Sequence, residues 1–146
     1  MAVTALVTWL LTAIGGFVML GMWITKGGLR RPRTSHFPPA VIFGHFALAA
    51  AGLIVWIVYL LVDTHSLAWI SFVVLLPVAL LGFVMLFRWI PVYRARAAVA
   101  TGGPGSTGAA DQAPAERSFP LVIVLGHGLL AVATLVLVLL VALNVG

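Results

Sequence analysis

Two histidines, His45 and His127, are the residues of this chain best placed to do chemistry. Each follows a glycine, Gly44 or Gly126, inside a long apolar run, and each stands seven residues after the proline of a Phe-Pro pair. An imidazole inside a membrane span needs partners for its ring nitrogens, so such a histidine predicts a functional site. The glycines beside the histidines leave space either for a cofactor or for close helix packing.

The histidine segments belong to a longer internal repeat. Eight positions are identical between residues 37–53 and 119–135, and seven of nine are identical between 16–24 and 82–90. Shared hydrophobicity alone would not give this identity, so the repeat indicates a tandem duplication.

Composition defines the class of protein. The 146 residues are 63% hydrophobic and 8% charged, which is too apolar for a soluble domain of this size. Four apolar runs lie roughly at residues 3–25, 40–62, 67–90 and 120–144, and each is close to the ~20 residues that cross a membrane as a helix. The apolar residues are continuous rather than alternating, which favours helices over strands.

The spans and the repeat together predict an all-α membrane protein. We expect a single transmembrane domain over residues 1–146, a four-transmembrane-helix bundle built from two tandem-duplicated helical hairpins. The first hairpin occupies residues 1–62 and the second residues 67–144. Parallel repeats are related by an axis along the membrane normal, which would place His45 and His127 at matching depth.

The positive charges predict the topology. All lysines and arginines lie in two connectors or at their edges, namely Lys26, Arg30, Arg31, Arg33, Arg88, Arg94, Arg96 and Arg117. The positive-inside rule then predicts cytoplasmic basic connectors and outward-facing termini, in a multi-pass protein of a bacterial-type inner membrane. This placement makes membrane lipid, and not nucleic acid, the expected partner of the basic residues.

Polar residues outside the repeat are expected to be exposed. The second connector, residues 97–118, is rich in Ala, Gly, Pro, Ser and Thr and predicts a flexible cytoplasmic linker without packed structure. It holds Asp111 and Glu116, and no span contains Asp, Glu or Lys, which argues against ion pumping. His36 at the membrane edge and His65 in the outer turn have no repeat partner.

A b-type haem is the leading hypothesis for the histidine pair. Ala49 lies one turn after His45, and Ala131 lies one turn after His127, so a flat cofactor would find small residues on both sides. The chain has no cysteine, which excludes covalently attached c-type haem and thiolate-bound iron–sulfur clusters. We therefore expect one haem b ligated by both histidines, although the same small residues also suit plain helix packing.

Arg88 is the best candidate for binding the haem propionates. It lies at the end of the third span, and arginine often binds carboxylates through two hydrogen bonds. Its repeat partner is Met22, so its charge is not part of the duplicated pattern, but topology determination alone could also explain it. Met19 and Met85 are symmetric and could serve as axial ligands, although methionine is more often core filler.

With Gly44-His45 and Gly126-His127 in a four-span chain, the protein resembles small membrane b-type cytochromes. These are the four-helix cytochrome b561-like proteins and the haem-bearing anchor subunits of respiratory complexes. The resemblance implies electron transfer between quinol and a redox partner. We expect an electron-transfer subunit with no catalytic reaction of its own. Those families often carry two haems on four histidines, whereas two well-placed histidines support one haem.

Two further functions fit the same sequence. A cofactor-free structural or accessory subunit of a larger membrane complex would use the Gly and Ala faces for helix packing. A small transporter, or a quinone- or lipid-binding protein, is the third hypothesis. The sequence has no phosphate-binding glycine loop, no HExxH motif and no nucleophile–base pair suited to hydrolysis.

Overall fold

Four long helices make up the molecule. The computed structural model describes residues 1–30, 35–101 and 114–145. The helices are α1 (Ala2–Thr25), α2 (Pro39–Val62), α3 (His65–Thr101) and α4 (Leu121–Ala142), with a short 3₁₀ helix at Ala115–Ser118. All four long helices are apolar enough to cross a membrane, and the described residues contain no strand. The prediction of an all-α, four-helix membrane bundle is confirmed.

The helix starts follow from the prolines. α2 begins at Pro39 after an extended Pro38, and α4 begins after an extended Pro120. Proline suits the first turn of a helix because a backbone N–H there has no partner within the helix. α2 ends at Val62 and is capped by Asp63, whose φ of 51° is left-handed, a conformation that aspartate tolerates better than most residues.

Helix pairing crosses the boundary between the two predicted hairpins. α2 packs mainly on α3, and α1 packs mainly on α4; α3 and α4 pack less closely, and α1 and α2 pack least closely. Among the described residues, the backbones of α2 and α4 do not approach, and neither do those of α1 and α3. The four helices therefore form a ring in which α2 and α4 are diagonally opposite.

Buried side chains gather at both ends of this ring. We call the end that carries the two long connectors the connector end, and the end that carries the short turn at Asp63 the turn end. Trp9 and Trp56 lie in the core cluster at the turn end. Trp23 and Trp89 lie in the cluster at the connector end. The middle of the bundle, between these clusters, is where the histidines lie.

The second connector has more structure than its composition predicts. α3 continues to Thr101, and Ala115–Ser118 form a 3₁₀ helix in which Ala115 and Glu116 are buried. The expectation of a linker without packed structure over residues 97–118 is therefore wrong at Ala115–Ser118, while residues 97–101 continue α3. The central part of the connector, residues 102–113, lies outside the described residues.

Candidate cofactor site

His45 and His127 meet in the middle of the bundle. Their ring centroids are 6.3 Å apart, and the ring planes are inclined by 55°. α2 and α4 are diagonally opposite, so their backbones do not approach. The side chains of His45 and His127 bridge the distance between them. The structure thus brings together the two residues that the repeat singles out.

Each imidazole is oriented by a backbone carbonyl of a neighbouring helix. Nδ1 of His45 lies 2.9 Å from the carbonyl oxygen of Val78 on α3. Nδ1 of His127 lies 2.9 Å from the carbonyl oxygen of Thr12 on α1. A carbonyl can only accept, so Nδ1 carries the proton and donates in both rings, and in the neutral imidazole Nε2 keeps its lone pair.

A glycine one turn beyond each acceptor lets the ring lie close to the neighbouring helix. Gly16 on α1 and Gly82 on α3 each stand four residues after the acceptor carbonyl. A Cβ added at Gly16 would lie 3.2 Å from Cε1 of His127, and one added at Gly82 would lie 3.5 Å from Cε1 of His45. The same contact is therefore made twice. Both copies of the repeat have a glycine at this position, which was the signal for these residues in the sequence. Their contact with the histidines was not predicted.

The small residues next to the histidines along the chain are packed less tightly. A Cβ at Gly126 would meet nothing within 4 Å, and one at Gly44 would reach only Leu81, at 4.0 Å. Ala49 packs against the turn-end cluster, and Ala131 is half-buried. The tight contacts of the imidazoles are thus with the neighbouring helices.

Arg88 lies at the connector end. Its Nη1 donates a hydrogen bond of 2.9 Å to the carbonyl oxygen of His36, and its side chain is exposed. Met19 and Met85, the alternative ligand pair, pack against the connector-end cluster. The structure therefore places the histidine pair in the middle of the bundle and these other candidates towards one end.

The two imidazoles lie close enough together to contact one bound group, since their ring centroids are 6.3 Å apart. An Nδ1–H donated to a backbone carbonyl is also how metal-binding histidines are commonly oriented. Among the described residues, no three His, Cys, Asp or Glu side chains lie together as a metal-binding group.

A second polar cluster closes the connector end. Glu116 is fully buried, and its carboxylate accepts hydrogen bonds of 3.0 Å from Oγ of Ser35 and from Nδ1 of His36. The backbone N–H of His36 donates to the same carboxylate. His36 is exposed, as expected, but it is paired. The expectation that Glu116 belongs to an unpacked linker is wrong, because this carboxylate binds the first connector.

Two buried indoles support the cluster. Nε1 of Trp23 donates to Oγ of Ser35 at 3.0 Å, and Nε1 of Trp89 donates to the carbonyl oxygen of Glu116 at 3.1 Å. Trp23, near the end of α1, and Trp89, in α3, occupy equivalent positions of the repeat. Each therefore binds the connector that follows its own helix, which could have been suspected from their recurrence in both copies.

The fold and the site define a four-helix membrane bundle with a histidine pair between diagonally opposite helices. Comparison with known proteins adds no family to this description, since no family model, curated protein or solved structure matches the chain.

Proposed function

We propose that this protein transfers electrons in a membrane, alone or as a subunit of a respiratory-type complex, with one haem b bound by His45 and His127. One observation carries the proposal. The two rings lie 6.3 Å apart across the bundle, and each Nδ1 donates to a backbone carbonyl, so the lone pair on Nε2 of each neutral imidazole could ligate a metal.

The bound haem would supply one-electron redox chemistry. His45 and His127 would hold the haem, and ligation by two histidines would favour electron transfer over oxygen chemistry. The carbonyls of Thr12 and Val78 hold the Nδ1 protons and so keep both rings in one tautomer. α1 and α3 would therefore orient the two rings, which α4 and α2 carry.

Arg88 is the proposed partner of the haem propionates. It follows Gly82, which lies against His45, by six residues, or about 9 Å along α3. That places a guanidinium group at the connector end of the space that holds the imidazoles. Its Nη1 donates to the carbonyl oxygen of His36, in the first connector.

A cofactor-free accessory subunit is the second candidate. The observation in its favour is that both histidines already have a hydrogen-bond partner and lie against a glycine. Such contacts can specify helix packing without a metal. The electron-transfer protein would require a quinol or a redox protein as its partner. The accessory subunit would require a larger membrane complex.

Visible spectroscopy separates the two candidates. Protein purified from haem-replete cells is expected to show a low-spin haem spectrum that changes on reduction with dithionite. A pyridine haemochrome assay should give about one haem b per chain, as two axial histidines allow. A colourless preparation with intact helical structure would instead favour the accessory subunit.

We further propose that the connector end faces the cytoplasm of a bacterial-type cell, since the lysines and arginines lie there. The natural chain lacks cysteine, so single cysteines can report on the topology. Thr64→Cys, in the exposed turn, should react with an impermeant maleimide in intact cells. Ser106→Cys, in the second connector, should react only after permeabilisation. The opposite labelling pattern would reverse the proposed orientation.

A further inference from the structure

We propose that Arg96 and Arg117 form a binding site for the phosphate headgroup of an anionic phospholipid. Arg96 lies at the end of the third candidate span, His65–Arg96, and Arg117 lies four residues before α4 begins at Leu121. Both arginines therefore lie where the connector end meets the headgroups of one leaflet. The site contains neither His45 nor His127, so it stands or falls independently of haem binding.

A hydrogen bond between distant parts of the chain brings the two arginines together. Nη1 of Arg96 donates to the carbonyl oxygen of Arg117 at 3.2 Å, across 21 positions of sequence. The guanidinium group on α3 thus lies against the backbone of the residue that carries the second one. Arg96 is exposed and Arg117 is half-buried. This bond uses one of the five N–H donors of Arg96, so the group can also bind a headgroup.

The segment that carries Arg117 is held in place before any lipid binds. The N–H of Arg117 bonds to the carbonyl of Pro114, and Nε1 of Trp89 donates to the carbonyl oxygen of Glu116. The Glu116 side chain is buried, and all the described hydrogen bonds to its carboxylate come from the first connector. A site with a fixed backbone loses less conformational freedom on binding, which favours affinity.

The chemistry and the depth of the site select a lipid phosphate. A guanidinium group matches the oxygens of a phosphate and can bind two of them at once. Tyr93 lies three residues before Arg96 on α3, and tyrosine is enriched where a span meets the headgroups. Anionic lipids attract basic residues next to a span. Phosphatidylglycerol is the simplest such lipid, because no ammonium group of its own neutralises its phosphate.

Lipid titration of the full-length protein tests the site. In mixed micelles with phosphatidylcholine, added phosphatidylglycerol should raise the thermal unfolding midpoint in a saturable way, because a ligand of the folded state stabilises it by mass action. Native mass spectrometry should show phosphatidylglycerol retained on the protein in preference to phosphatidylcholine. Inorganic phosphate at the same concentration should not reproduce the shift. An equal shift with inorganic phosphate, or none with phosphatidylglycerol, would overturn the proposal.

Variants separate this site from a general attraction of lipid to positive charge. Arg96→Gln and Arg117→Gln should each weaken the apparent affinity for phosphatidylglycerol about tenfold, as expected for a lost charge-assisted hydrogen bond. Arg96→Lys keeps the charge without the planar fork and should also bind more weakly, which keeps the test valid if a glutamine variant misfolds. Lys26→Gln removes an exposed charge at the end of α1 and should change the affinity much less. Equal weakening by Lys26→Gln and Arg96→Gln would show attraction by surface charge alone and contradict the site.

Discussion

Replacing both His45 and His127 with alanine is expected to abolish the haem absorbance of the purified protein. Each single substitution should convert the six-coordinate spectrum to a five-coordinate one or lose the haem. The reason is geometric, because the two rings meet across the bundle, whereas His36 lies against Glu116 at the connector end and His65 lies at the start of α3. Oxidised and reduced spectra of matched preparations, normalised to protein concentration, provide the measurement.

The remaining histidines provide matched controls. His65→Ala and His36→Ala remove histidines at the turn end and at the connector end, and both variants should keep the haem spectrum. Circular dichroism should show helical content close to that of the natural protein, so that loss of haem is not mistaken for unfolding. Haem that survives the double substitution His45→Ala/His127→Ala would contradict the assignment, and Met19 and Met85 would then be the next ligand pair to test.

The sequence predicts the spans well because membrane insertion is governed by composition and length. A continuous apolar run must satisfy its backbone internally, so the positions of α1, α2 and α4 could be predicted within a few residues. The histidine pair could also be predicted, because Gly-His follows Phe-Pro at the same distance in both copies. This recurrence is visible without knowing how the helices pack. α3 was predicted too short because its last turns continue beyond the apolar run as far as Thr101.

The partners of the histidines were not predictable in the same way. Val78 and Thr12 act through their carbonyl oxygens, which every residue has, so the residue type carries no signal. Which carbonyl accepts depends on the packing of α2 on α3 and of α1 on α4. A repeat in sequence indicates equivalent elements but does not say that each element will pack on one from the other copy.

The connector end was mispredicted for a related reason. Glu116 lies in a stretch whose composition is typical of flexible linkers, and composition averages over many residues. One buried carboxylate with three donors is enough to fix a short segment, and those donors come from a distant part of the chain. The sequence did carry one signal for this contact, because Glu116 is an isolated acidic residue three positions before the Phe-Pro pair of the second copy.

Gly28 carries the second large expected effect, because its neighbour Trp23 is central to the connector end. Gly28 is buried, and a Cβ added there would overlap the indole ring. That ring is 1% exposed, and its Nε1 donates to Ser35, which in turn donates to Glu116. The indole therefore cannot move aside without disturbing the contact between the connectors.

Gly28→Ala is accordingly expected to destabilise the protein by about 1–3 kcal/mol, the usual effect of overpacking a well-filled core. Gly21→Ala is the matched control, since a Cβ there meets nothing within 4 Å and the residue lies inside α1. Alanine in an open helical position should raise stability by about 0.5–1 kcal/mol, so the two substitutions should shift the thermal unfolding midpoint in detergent in opposite directions. A Gly28→Ala protein as stable as Gly21→Ala would mean that Trp23 is free to move, and that the connector end is not held closed through this indole.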